Sequence, residues 1–276
     1  MTHLGLPPTA PGPGFHRARG RRGVPRRPER TVVGRIALAI VVAGLCAAVS
    51  LGGSAAAGQN EKLLALLGKM DSEYSRLEDY TAIFRKRERI GESTIYDERI
   101  FMKFQKPFKV YMKWLDESRE ALYVGGEYSD KVLVHYHGLF GMTTSAFSPD
   151  SALVMHNNRH PIFEIGFGFI LEVLKKNFTL AEQYGEVEII RMEDDVFDGR
   201  PSIVIEARFT PREGRKYYTS LMICQIDKEF MVPVSISCYN EKGEFQEQYS
   251  YVSVKINQNL GAMDFSRENK EYHFSR

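Results

Sequence analysis

Beyond Tyr80 the apolar residues of this chain fall on every second position, in short runs closed by turn residues, and few folds accept that pattern. The clearest run sets Phe108, Val110, Met112 and Trp114 on one face against Lys109, Tyr111 and Lys113 on the other. A period of two is that of a strand with one dry and one wet face. Tyr80, Ala82 and Phe84 alternate in the same way, ahead of a charged run, Arg85–Arg89, that reads as a solvated strand face. After a turn at Gly91 the return strand carries Tyr96, Ile100, Met102 and Phe104. Further strands are expected at 121–124, 131–137, 187–192, 202–209, 217–227, 234–239 and 246–256. Asp198-Gly199, Glu213-Gly214 and Lys242-Gly243 supply hairpin turns between them. About ten strands joined by hairpin-length loops predict an antiparallel meander with no parallel crossover.

Two segments break the period. Leu63, Leu64, Leu66, Leu67, Met70, Tyr74 and Leu77 recur at three-to-four spacing, which predicts an amphipathic N-terminal helix. The second helix is expected over 162–184 with Pro161 in its first turn, and its first half is apolar nearly all round. Such a helix must be covered on most sides or must itself plug an apolar concavity. The stretch 138–158 ahead of it reads as irregular. The expected fold class is therefore α+β, with residues 58–276 as a single domain.

Composition matters most where it is uneven. Residues 1–57 hold eight of the 37 Lys+Arg and one of the 35 Asp+Glu, which leaves 29 against 34 and a net charge of −5 for 58–276. The overall charge of +2 thus belongs to the leader, and a nucleic-acid partner is excluded on charge. Residues 1–30, rich in Arg, Pro and Gly, predict a disordered extension. Residues 31–57 read as a signal peptide: Arg30 and Arg35 precede an apolar run from Ile36 to Val49, and Ala55-Ala56-Ala57 offers a cleavage site. The alternative is an inner-membrane anchor over 36–57. Export to the periplasm follows from the first reading.

Three cysteines, one of them in the leader, exclude a disulfide scaffold. Cys224 and Cys238 lie on consecutive strands, and a register in which they face each other would allow one bond; a shift of two would leave them diagonal and free. His156 and His160 have helical pair spacing, but Asn157 follows where a metalloprotease carries Glu, so no metal is expected. His135 and His137 on one strand face add a histidine group without a motif. Glu193, Asp194, Asp195 and Asp198 read as a solvated hairpin, and Gly166 and Gly168 as sites where a helix packs closely. Neither a nucleophile elbow nor a phosphate loop occurs, and the chain is expected to be no enzyme and to need no cofactor.

The helix, the Tyr80…Phe84 strand, the Gly91 turn and the run Phe104-x-Lys106-Pro107-Phe108-x-Val110-x-Met112-x-Trp114 resemble the opening of the LolA/LolB-like lipoprotein-carrier superfamily. Ile226-Asp227-Lys228, Val232-Pro233-Val234, Tyr239-Asn240-Glu241-Lys242-Gly243, Tyr249-Ser250-Tyr251 and Asp264-Phe265 with Asn269, Tyr272 and Phe274 are similar to its second half. More specifically they resemble an uncharacterised bacterial family grouped with it, as does Arg159-His160-Pro161-Ile162. The resemblance implies an open antiparallel half-barrel wrapped around helices that act as a lid over an acyl-chain cavity. The insertion around 138–160 and the large apolar helix depart from the carriers. The candidate lining is Phe84, Phe104, Met112 and Trp114 from the sheet with Phe163, Phe167, Phe169 and Leu174 from the helix. The expected role is carrying or sensing a lipid at the envelope, with transient membrane contact. The alternative is a closed-core module that docks an envelope protein.

Overall fold

The computed structural model describes residues 58–138 and 141–274. The leader, its cleavage site and the anchor alternative lie outside these residues. Helix α1 (58–76) precedes a meander of β1 (Asp79–Ile90), β2 (Ser93–Gln105), β3 (Lys109–Trp114), β4 (Arg119–Val124), β5 (Val132–Gly138) and β6 (Gly141–Phe147). A short helix α2 (Ala152–Met155), a strap over 156–166 and helix α3 (Phe167–Tyr184) follow. A second meander then runs through β7 (Val187–Phe197), β8 (Arg200–Phe209), β9 (Leu221–Asp227), β10 (Pro233–Tyr239) and β11 (Phe245–Ile256). Among the described residues every pairing is antiparallel, and all eleven strands form one sheet in the order β6-β5-β4-β3-β2-β1-β11-β10-β9-β8-β7. The two meanders join where β11 pairs with β1, and the open sheet curls over its helices as a half-barrel. Among the described residues no helix is long and apolar enough to cross a membrane.

The alternation in β1 explains the inner face. Tyr80, Ala82 and Phe84 are buried there among α1 residues Leu63, Leu67 and Met70 and α3 residues Phe167, Leu171 and Leu174. Removing each large apolar side chain from water favours this packing by about 1.5–3 kcal/mol. Gly168 brings α3 onto α1: a Cβ there would collide with the Tyr74 ring. Gly166 has φ +97°, and a Cβ would sit 2.7 Å from the Tyr80 hydroxyl, so glycine is required twice over. The expected close packing at these two glycines is therefore seen directly.

Several expectations need correction. Helix α3 starts at Phe167, because the positive φ of Gly166 interrupts the helical path; Phe163 and Ile165 belong to the strap. The stretch 138–158 contains β6 and α2. The outer face of β3 and β4 is not wet: the C-terminal segment crosses it, and Tyr272 stacks on Tyr111 at 3.8 Å between ring centroids. The charged run Arg85–Arg89 is split by the pleat, with Arg85 exposed but Lys86 and Glu88 buried on the inner face. Of the two registers open to Cys224 and Cys238, the structure holds the one that leaves them unbonded. Cys224 pairs with Ile236 and Cys238 with Met222, which is the register shifted by two, and both thiols are free and buried.

Candidate functional site

Cross-strand register lays the inner face out in rows, and the rows change character along the strands. One row reads Ala82, Met102, Met112, Ala121 and Val134 from β1 to β5, all apolar. The next reads Tyr251, Phe84, Ile100, Trp114, Arg119 and Tyr136. Beyond it Tyr249, Lys86 and Asp97 stand side by side, and then Glu247, Glu88 and Ile95. The surface therefore passes from hydrocarbon to charge within three rows, a distance of about 14 Å at two residues per step.

Over these rows lies a cavity of about 650 Å³. Its floor is the inner face of β1 to β6, and its roof is α2, the strap and the first turn of α3, through Leu153, Val154, Ile162, Ile165, Phe169 and Ile170. The volume lies within the 300–1,000 Å³ or so common for small-molecule sites. Of the eight residues proposed from sequence, Phe84, Met112, Trp114 and Phe169 line it. The other four do not. Phe104, Phe167 and Leu174 are consumed by the core, where Phe167 stacks on Tyr80 at 4.1 Å and Phe104 at 5.0 Å, and Phe163 projects outward, 44% exposed. The helix assignment caused those misplacements: with α3 beginning at Phe167, its inward face is Phe167, Ile170, Leu171 and Leu174.

The charged side chains at the far rows went unrecognised in the sequence, although continuing the alternation past Phe84 would have placed Lys86 and Glu88 inward. Lys86 Nζ lies 3.3 Å from both Glu88 Oε2 and Asp97 Oδ2 and donates to Asn158 Oδ1 of the strap. Arg119 reaches Asp97 and Glu117 at 3.3 Å and lies over the Trp114 ring, 3.8 Å from its centroid. The Tyr249 hydroxyl donates to Glu88.

The strap is tied to the sheet by three consecutive residues. Asn158 accepts from Lys86, Arg159 Nε donates to Glu247 Oε2 at 2.7 Å, and His160 Nε2 lies 3.0 Å from the same oxygen. His160 Nδ1 meets Glu164 at 2.8 Å, and the Tyr218 hydroxyl donates to Glu247 Oε1. Burial alone would lower the His160 pKa, but hydrogen bonds and charge from Glu247 and Glu164 hold it above its ordinary value. Burial would likewise raise Glu247, yet His160, Tyr218 and Arg159 hold its carboxyl below the usual range. This cluster separates the large cavity from a second, polar one of about 370 Å³ lined by Tyr217, Thr219, Asn240 and Gln246.

The four histidines do not assemble. His156 and His160 belong to the strap, whereas His135 lies on the outer face with His273, and the side chain of His137 is outside the described ones. Among the described residues no group of three or more His, Cys, Asp or Glu side chains is arranged to hold a metal.

A family model described as a protein of unknown function (DUF1571) matches residues 77–274. No curated protein matches the chain. Among solved structures, the Pseudomonas aeruginosa MucA/MucB complex aligns with 15% identity and a TM-score of 0.38, covering 75% of this chain and 60% of that one. The chain thus spans about three-fifths of that relative's length. The Mycobacterium tuberculosis lipoprotein LppX aligns with 13% identity and a TM-score of 0.36 over 73% of this chain and 98% of that one. The LolA superfamily protein NE2245 from Nitrosomonas europaea aligns with 9% identity and a TM-score of 0.22, over 74% and 96% respectively. By the match over 77–274 the chain belongs to the DUF1571 family.

Proposed function

We propose that this chain is an exported, non-enzymatic protein that binds a hydrophobic ligand, a lipid or another acyl-chain compound, and carries or senses it at the cell envelope. The cavity of about 650 Å³ supports this reading, because its space remains after α1 and α3 have filled the rest of the inner face. Burying an acyl chain there is favourable by about 0.8 kcal/mol per methylene. Phe84, Ile100, Met112, Ala121, Val132 and Val134 offer the wall for it. The rim residues Tyr96, Tyr136 and Leu153 are 54%, 49% and 68% exposed, which suits brief contact with a membrane during loading. The apolar run 36–49 and its small-residue end support export. A closed-core docking module would require the concavity to be filled, so the open volume favours the binder.

The test is to purify the full chain from the periplasm without detergent, extract it with organic solvent and identify what co-elutes by mass spectrometry. Uptake of Nile red, an uncharged apolar probe, is measured on the stripped protein. Stoichiometric lipid, or Nile red binding that Ala121→Phe removes, is the expected result. Clean extracts together with no uptake would sink the reading and leave the docking module.

A further inference from the structure

The strap covers the cavity without being woven into the sheet. Among the described residues, the backbone hydrogen bonds donated from 157–165 to other backbone groups are local: Asn158 N–H donates to the Met155 carbonyl and Glu164 N–H to that of Pro161. Its hold on the sheet is through side chains. Lys86 donates to Asn158, Arg159 donates to Glu247 and to the Arg89 carbonyl, His160 meets Glu247, and Ile162 and Ile165 are half-buried against the core. A segment held this way opens more readily than the strands and helices around it.

One of those side chains holds only in one charge state. His160 Nδ1 lies 2.8 Å from Glu164 Oε2, and Nε2 lies 3.0 Å from Glu247 Oε2. The Tyr218 hydroxyl, also 3.0 Å from Nε2, gives its own hydrogen to Glu247 Oε1 and can only accept from the ring. A carboxylate only accepts as well, so both ring nitrogens must donate, and imidazolium alone does that. The neutral ring has a single N–H. Losing the proton turns a lone pair onto a carboxylate and forfeits one of the two bridges.

The groups around the ring are Glu247 and Tyr249 of β11, Tyr218 ahead of β9, Phe169 of α3, and Arg159 and Glu164 of the strap itself. Cys238 of β10 shares the polar cavity with His160, and Lys86 and Glu88 of β1 share the large one. Burial, and then the Glu247 charge, push the Tyr218 and Tyr249 hydroxyls and the Cys238 thiol above their ordinary values. Against burial, Glu247 holds the Arg159 guanidinium above its own. These neighbours therefore keep their protons where a histidine exchanges its own.

We propose that the strap is a proton-operated latch on the ligand cavity: imidazolium at His160 bridges Glu164 and Glu247 and holds the roof shut, and loss of that proton loosens the strap, so that ligand exchanges faster at higher pH. The proposal rests on the ligand-binding reading above and adds its regulation.

Stopped-flow fluorescence tests this by following release of Nile red from the loaded full chain into excess phosphatidylcholine vesicles between about pH 5.5 and 9. Release is expected to be slow and level below about pH 6.5, the ordinary histidine value, and about three- to tenfold faster by pH 9. His160→Gln, which carries no charge at any pH, is expected to release at the fast rate throughout. Glu164→Gln, whose amide can accept from imidazolium or donate to the neutral ring, should shrink the pH effect. A level profile in the unaltered chain overturns the latch whether or not His160→Gln folds, and so does a profile that survives both substitutions. Either result leaves the cavity as a binding site, whereas Nile red that binds at no pH overturns the binding reading itself.

Discussion

Between β7 and β10 the inner face of the sheet ends against α3, whereas between β1 and β6 only part of that face is packed by α1 and α3 and the rest ends at an open cavity. One row makes the contrast plain: Met192, Ile205, Cys224 and Ile236 run across the second meander and continue into Tyr249, Lys86 and Asp97 of the junction and first meander. The next row passes from Ile189, Ala207, Met222 and Cys238 to Glu247 and Glu88. In the second meander Phe178 of α3 fills the concavity, packing on Phe209 at 5.2 Å between centroids. In the first meander the roof is a strap held by polar ties, and space remains beneath it. A single strand pattern thus serves a sealed core and an open one, and the difference lies in what covers each half.

The contrast can be broken most severely by cavity creation. Phe178→Ala, at a 1% exposed position, is expected to cost about 3–5 kcal/mol in chemical denaturation, whereas Met112→Ala on the cavity wall should cost about 2 kcal/mol, the low end for a buried methionine. Equal costs would mean that the first half is packed as tightly as the second. Overpacking is the next largest effect. Ala207→Phe in the sealed half should destabilise by about 1–3 kcal/mol, while Ala121→Phe should stay below about 1 kcal/mol, since its ring enters existing space, and should abolish Nile red uptake.

The smallest effect concerns the strap. His160 has a folded pKa above its ordinary value of 6.5, so the stability it lends the Glu247 clasp is fully present below about pH 6.5 and is lost as pH rises through the raised value. Hydrogen exchange of strap amides, corrected for intrinsic rates, should therefore accelerate across that window, and His160→Gln should flatten the dependence. A strap insensitive to both would show that Asn158 and Arg159 hold it unaided.

Much of the fold was legible in the sequence because β1, β2 and β3 alternate cleanly and the turn pairs are strong. The site was only half legible. Phe84, Met112, Trp114 and Phe169 line the cavity, but Phe104, Phe167 and Leu174 are equally apolar and sit in the core. Hydrophobicity cannot separate a side chain that packs on a neighbour from one that faces a void. Lys86 and Glu88 were hidden for the opposite reason: charge suggests water, and only their pairing with Asp97, Tyr249 and Asn158 makes burial tolerable.

Local pattern alone determined an antiparallel, hairpin-built sheet with one amphipathic and one apolar helix, since period and turn chemistry act between residues near in sequence. Tertiary structure decided the start of α3 at Gly166, the register that leaves Cys224 and Cys238 free, the C-terminal cover over Tyr111, and the volume left beneath the strap. Each of these depends on contacts between segments far apart in the chain, where steric fit and charge pairing are settled only once the sheet has curled.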